Sequence, residues 1–136
     1  MSKVMPKISK YMTTTPDAIN YESTIVEAMN VMEKHKIRHL PVIKDNAVFG
    51  ILSDRDVKSI LAFAGTNPRI IKVGEICSDL PYLTKPDALL HEVASEMAQN
   101  KYGSALIVDN GKLVGIFTTV NVCQALVDIC EQRFHN

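Results

Sequence analysis

Two short segments hold the residues whose types and spacing could do chemistry: Gly50-Ile51-Leu52-Ser53-Asp54-Arg55-Asp56 and Gly115-Ile116-Phe117-Thr118-Thr119-Val120-Asn121. Each reads as an apolar strand that runs straight into a helix. That brings a hydroxyl, Ser53 or Thr118, and the unpaired N–H groups of a first helical turn to one spot, which favours an anion. A carboxylate three residues on is a poor neighbour for phosphate and a good acceptor for two vicinal hydroxyls, as on a ribose. Hydroxyl, helix start and acid together point to a nucleotide. The same spacing also makes a capping box of Ser53 with Asp56, and a weaker one of Thr118 with Asn121, which would stabilise a helix start without any ligand. Both readings stand on these residues alone.

The two segments are copies. A shift of 65 residues superposes Gly50-Ile51-Leu52-Ser53 on Gly115-Ile116-Phe117-Thr118, Asp56 on Asn121 and Val57 on Val122. The same ungapped register pairs Pro16 with Pro81, Glu27 with Glu92, Met32 with Met97, Lys36 with Lys101 and Leu61 with Leu126. It matches Ile8 with Val73, Ile25 with Leu90, Ala28 with Val93 and Val42 with Ile107 in type, and extends from about residue 8 to about 127. A register of that length marks a duplication, the first feature to settle in any fold assignment.

Each copy has the same order of elements. Thr24 and Glu27 form a capping box that starts a helix over about 24–35, with Ile25, Ala28, Met29 and Met32 facing inward as core filling. Residues 40–43 and 48–52 read as a hairpin joined by Lys44-Asp45-Asn46-Ala47. A helix from near Ser53 carries Val57, Ile60, Leu61 and Ala64 on one face until Gly65-Thr66-Asn67-Pro68 breaks it. The second copy has a stripe of Leu90, Val93, Ala94 and Met97, then a hairpin turned by Asn110-Gly111. Its closing helix, about 119–131, presents Val122, Leu126, Val127 and Ile129. Stretches around Ile19 and Leu80 to Leu83 supply short opening strands. The predicted organisation is a first motif at 8–64, a linker at 65–72 and a second motif at 73–131, with 1–7 and 132–136 as termini. A β-α-β-β-α unit of roughly 60 residues is too small to bury both its helical faces. The two are therefore expected to pack as one pseudo-two-fold-symmetric α/β (α+β) module.

Composition excludes several function classes. The 136 residues carry 15 Lys and Arg against 15 Asp and Glu, and no basic stripe, so a grip on nucleic acid by phosphate neutralisation is not expected. With 46% apolar and 22% charged residues the chain is an ordinary globular one. No apolar run is long enough to span a membrane. Cys77, Cys123 and Cys130 form no even disulfide set and no Cys-x-x-Cys pair, and the start Met1-Ser2-Lys3-Val4 lacks an apolar signal core, which points to the cytoplasm. His35, His91 and His135 have no partner at metal-ligand spacing, so no metal site is expected. Cys123 and Cys130 lie seven apart on one helix face, which suits core or interface packing. No nucleophile with a positioned base is patterned, so no enzyme activity and no catalytic cofactor are expected.

The duplicated pattern resembles the cystathionine-beta-synthase (CBS) domain family, whose units occur in tandem pairs called Bateman modules. The resemblance rests on Tyr11-Met12-Thr13 with Pro16, on Thr24-Ile25-Val26-Glu27-Ala28-Met29 with Met32, on Ile37-Arg38-His39-Leu40-Pro41-Val42 and on Gly50 to Val57. The second copy is looser, with Tyr102-Gly103-Ser104-Ala105 in place of the Arg-His-Leu-Pro run and Asn121 where the family usually has Asp. The resemblance implies two nucleotide clefts, each drawing on both copies. The first would join Ser53, Arg55 and Asp56 to Ser78, Tyr82, Tyr102, Gly103 and Ser104. The second would join Thr118 and Asn121 to Thr13, Ala18, Ile37, Arg38, His39 and Pro41. It further implies a stand-alone regulatory sensor of an adenosine-containing small molecule (AMP, ADP, ATP or S-adenosylmethionine-like), assembled as a homodimer and acting in trans on an unknown protein partner. The alternative is a structural dimerisation protein whose clefts stay empty.

Overall fold

A computed structural model describes residues 3–134. In chain order a 3-10 turn at Ile8–Lys10 precedes β1 (Thr13–Thr14), β2 (Ile19–Asn20), α1 (Ile25–His35), β3 (His39–Lys44), β4 (Ala47–Ser53), α2 (Asp54–Leu61) and α3 (Val73–Ile76). Next come β5 (Leu83–Thr84), α4 (Leu90–Asn100), β6 (Ser104–Asp109), β7 (Lys112–Thr118) and α5 (Thr119–Arg133). Among the described residues the fold is mixed α+β, with two sheets and five α-helices. None of the described helices is long and apolar enough to cross a membrane.

The chain forms two compact units, one of Asp17–Pro81 and one that joins the residues up to Pro16 to those from Tyr82 on. In the Asp17–Pro81 unit the sheet order is β2-β3-β4, with β2 parallel and β4 antiparallel to β3. In the other unit the order is β1-β7-β6-β5, with β5 parallel to β6. Each unit takes its opening segment from the other repeat. Thr13 pairs with Ile116 at the edge of β7, and Ser78 bridges Ile51 at the edge of β4, equivalent positions under the shift of 65. Pro16 and Pro81, where the units are cut, are equivalent as well.

Seven core positions repeat between the units. Ile25, Ala28, Met32, Leu40, Val42, Leu52 and Val73 are buried in one unit; their equivalents Leu90, Val93, Met97, Ala105, Ile107, Phe117 and Ile8 are buried in the other. Two substitutions compensate one another. Leu40 lies opposite Leu52 in the β3–β4 ladder, and Ala105 lies opposite Phe117 in the β6–β7 ladder, so a lost isobutyl group is balanced by a larger ring. Conserving total volume keeps a core close-packed.

Some helical stripes differ from expectation. On α1 the inward positions are Ile25, Ala28 and Met32, and Met29, at the edge of that face, is exposed. On α5 the buried positions are Asn121 and Ala125, so the inward face is rotated away from Leu126 and Val127, which are 62% and 55% exposed. Cys123 and Cys130 are exposed too. The helix begun at Ser53 stops at Leu61, with only Val57 buried. The segment after it packs on the start of α1, where the Ile25 and Val26 N–H groups donate to the Ile71 and Pro68 carbonyls at 3.0 and 3.1 Å.

Volume compensation has a measurable consequence. Ala105→Leu alone overpacks its unit at a cost of about 1–3 kcal/mol, and Phe117→Leu alone leaves a cavity. The double variant recreates the Leu40–Leu52 pair and should cost less than the sum of the two by about 0.5–3 kcal/mol in urea denaturation. Strictly additive costs would contradict the pairing.

Candidate functional site

The junction of β4 and α2 is built by a reciprocal cap. Ser53 is extended, its Oγ accepts from the Asp56 N–H at 3.0 Å, and the Asp56 Oδ2 accepts from the Ser53 N–H at 2.9 Å. Among the described residues the second carboxylate oxygen of Asp56, Oδ1, receives no hydrogen bond from protein. The carboxylate is therefore half spent on folding and half available. The Asp54 N–H donates to the Arg38 carbonyl at 2.8 Å, and its carboxylate pairs with Lys58 at 2.9 Å. His39 faces Ser53 across the β3–β4 ladder.

Close backbone approach sets the position of Ser78. A Cβ on Gly50 would lie 2.1 Å from the Ser78 carbonyl oxygen. Glycine is needed there so that Ile51 and Ser78 can exchange two main-chain hydrogen bonds of 2.9 Å each. Arg38, Arg55 and Ser78 are exposed, Ser53, Asp56 and His39 are half-buried, and Pro41 is buried. Burial lowers the His39 imidazole below its ordinary value, against the opposing pull of the Asp56 carboxylate, so the ring is neutral at pH 7. Positive charge in this unit's candidate set thus comes from Arg38 and Arg55. The Cys77 thiol is raised by burial and by Asp79, which keeps it protonated.

The equivalent junction of β7 and α5 is closed differently. The Asn121 Oδ1 accepts from the Thr118 N–H at 2.8 Å and from the Thr118 hydroxyl at 3.1 Å. The Asn121 amide donates to Thr13 Oγ1 and to Gln124 Oε1, both at 3.3 Å. At 7% exposure, Asn121 has both ends of its amide engaged by protein. It ties the N-terminal segment to α5. Nearby, Ser104 faces Thr118 across the ladder and is buried, and the rings of Tyr82 and Tyr102 pack with centroids 5.3 Å apart. Burial raises the Tyr82 phenol, so it remains a neutral donor.

Of the sixteen residues singled out in the sequence, Ala18, Ile37, Arg38, His39, Pro41, Ser53, Arg55, Asp56 and Ser78 belong to the Asp17–Pro81 unit. Thr13, Tyr82, Tyr102, Gly103, Ser104, Thr118 and Asn121 belong to the other. Arg38 and His39, assigned by the resemblance to the second cleft, are neighbours of Ser53 and Asp54 along β3. Sequence reasoning missed Gln124 as a partner of Asn121 and the close fit of Gly50. The recurrence of that glycine as Gly115, whose added Cβ would meet Met12 at 2.5 Å, was the available signal. Among the described residues no three His, Cys, Asp or Glu side chains converge as metal donors.

Comparison with known proteins agrees with the duplication. The CBS domain profile matches residues 8–62 and again 73–128. The CBS domain-containing protein YhcV of Bacillus subtilis is 27% identical over 141 positions, covering 96% of this chain and 100% of that protein. The crystal structure of AcuB from Vibrio cholerae superposes with a TM-score of 0.86 at 25% identity, covering 98% of this chain and 100% of the other. The crystal structure of CBSX2 in complex with AMP superposes with a TM-score of 0.78 at 25% identity, covering 90% and 97%.

The two junctions should respond differently to truncation. Asn121→Ala leaves a buried N–H without a partner and is expected to cost about 1–3 kcal/mol. Asp56→Ala removes one arm of a half-exposed cap and is expected to cost about 1 kcal/mol. Chemical denaturation of the two variants checks this, and a larger loss at Asp56 would contradict the division of labour.

Proposed function

Because this chain belongs to the CBS domain family, we propose that it is a regulatory module that binds an adenine nucleotide, with AMP as the first ligand to test. The observation that carries the reading is the Asp56 carboxylate: one oxygen holds the helix start while the other faces no protein donor among the described residues. A ribose diol can use that oxygen. Hydrogen bonds to a charged acceptor contribute about 1.5–3 kcal/mol. The exposed Arg55 and the first turn of α2 supply the positive side for a phosphate, with Arg38, between α1 and β3, close by through its carbonyl's bond to the Asp54 N–H. The AMP complex of CBSX2, a structure similar over nearly its whole length, supports the ligand class.

The Thr118–Asn121 junction is the weaker candidate, because its side-chain amide is already satisfied within the protein. Output would pass to a separate protein in the cytoplasm through a ligand-favoured change of conformation or assembly. The exposed apolar side chains of α5, Val120, Leu126 and Val127, support a second copy of the chain as the assembly partner. They equally favour the alternative reading, a dimerisation protein that uses no nucleotide.

Calorimetry with AMP and 2′-deoxy-AMP separates the two. Wild-type protein should bind AMP about 10-fold or more tightly than the deoxy analogue, a loss of about 1.4 kcal/mol or more. Asp56→Ala should weaken AMP and erase that preference. An absence of AMP binding, or an unchanged preference in Asp56→Ala, would overturn the proposal.

A further inference from the structure

Apart from both strand-to-helix junctions, the unit formed by the two ends of the chain carries a groove of about 690 Å³. Its lining comes from the N-terminal segment, from Leu90 and His91 at the start of α4, and from Ile129, Gln132 and Arg133 near the end of α5. From Pro6 onward the segment is fastened to its unit. The Ile8 N–H donates to the Ala88 carbonyl at 2.7 Å, and the Leu90 N–H donates to the Pro6 carbonyl at 2.9 Å. The Tyr11 hydroxyl donates to the Asp128 carboxylate on α5. The groove is thus a built feature of the unit, within the size range of small-molecule sites.

Its lining combines clustered positive charge with apolar surface. Lys3, Lys7, Lys10 and Arg133 bring four positive charges, and no Asp or Glu lines the groove. None of the four cations lies within 4.0 Å of a carboxylate among the described residues. Asp128, just outside, accepts from Tyr11 and from the Gln132 amide. In a chain of zero formal net charge this is a local excess. Beside the cations lie apolar side chains, with Val4 90% exposed, Met5 46% exposed, and Leu90 and Ile129 at the base. Uncompensated cations around an apolar trough fit one chemistry: an acid group carried on an apolar body.

We propose that this groove binds an amphiphilic organic anion, a carboxylate, sulfonate or phosphate on an apolar hydrocarbon body, which excludes the polar nucleoside of a nucleotide, independently of the proposed nucleotide site. The acid group lies among Lys7, Lys10 and Arg133, and the apolar body covers Val4, Leu90 and Ile129. His91, also in the lining, stands near enough to add a hydrogen bond donor.

The anionic dye 8-anilinonaphthalene-1-sulfonate and its neutral analogue N-phenyl-1-naphthylamine test the site by fluorescence titration of the full chain. The sulfonate should bind saturably and at least 10-fold more tightly than the neutral dye. Decanoate should displace it, and rising salt should weaken it. Lys7→Glu and Arg133→Glu, both at exposed positions, should each lower sulfonate affinity about 10-fold and leave the neutral dye unchanged, with far-UV circular dichroism confirming the fold. Asp56→Ala and saturating AMP should have no effect, which separates failure here from failure at the nucleotide site. Equal binding of both dyes, indifference to charge reversal, or displacement by AMP would overturn the proposal.

Discussion

The reciprocal pair of hydrogen bonds between Ser53 and Asp56 is the constraint on which the candidate site depends. A helix that begins directly at the end of a strand leaves its first N–H groups without partners, and something must accept from them. The Asp17–Pro81 unit uses a charged side chain for this, and a carboxylate has more acceptor capacity than one N–H can fill. In the proposed reading the residue that stabilises the helix start is also the one that receives a ribose. Capping leaves one carboxylate oxygen over, so the two readings of Ser53-x-x-Asp56 are compatible and spacing does not separate them.

The duplicated junction lacks that capacity. Asn121 supplies one acceptor and one donor group, and the structure uses both, the carbonyl on Thr118 and the amide on Thr13 and Gln124. With an amide where the other junction has an acid, this junction is a strut between the N-terminal segment and α5. Divergence within the core took a quieter course, since Leu40 with Leu52 and Ala105 with Phe117 fill equivalent places at similar total volume. The copies thus share a fold while differing in what their strand-to-helix turns have left for a ligand.

Much of this was legible in the sequence because a single register carried it. The shift of 65 located equivalent core positions such as Ile25 with Leu90 and Met32 with Met97, and the capping pattern at Thr24 and Glu27 marked the start of α1. The exchange of opening segments left no local trace, since Thr13 pairs with Ile116 and Ser78 with Ile51 across spans that no periodicity encodes. The helix expected over about 24–35 ends at His35, although Lys36 and its equivalent Lys101 both adopt left-handed backbone, a conformation usually signalled by glycine. On α5 the presence of Asn121 on the inward face displaced the apparent apolar stripe, because a buried polar residue with satisfied hydrogen bonds counts against burial in any hydropathy pattern.

The central claim is that the spare acceptor at position 56, beside the first turn of α2, is where a nucleotide is held. Titration of AMP into isotope-labelled protein, followed by the backbone amide signals, tests it most directly. The account predicts that the largest saturable shifts fall on Asp54, Arg55 and Asp56, with smaller changes at Thr119 to Asn121. Dominant shifts at Thr119 to Asn121, or a silent start of α2 while AMP binds elsewhere, would contradict it.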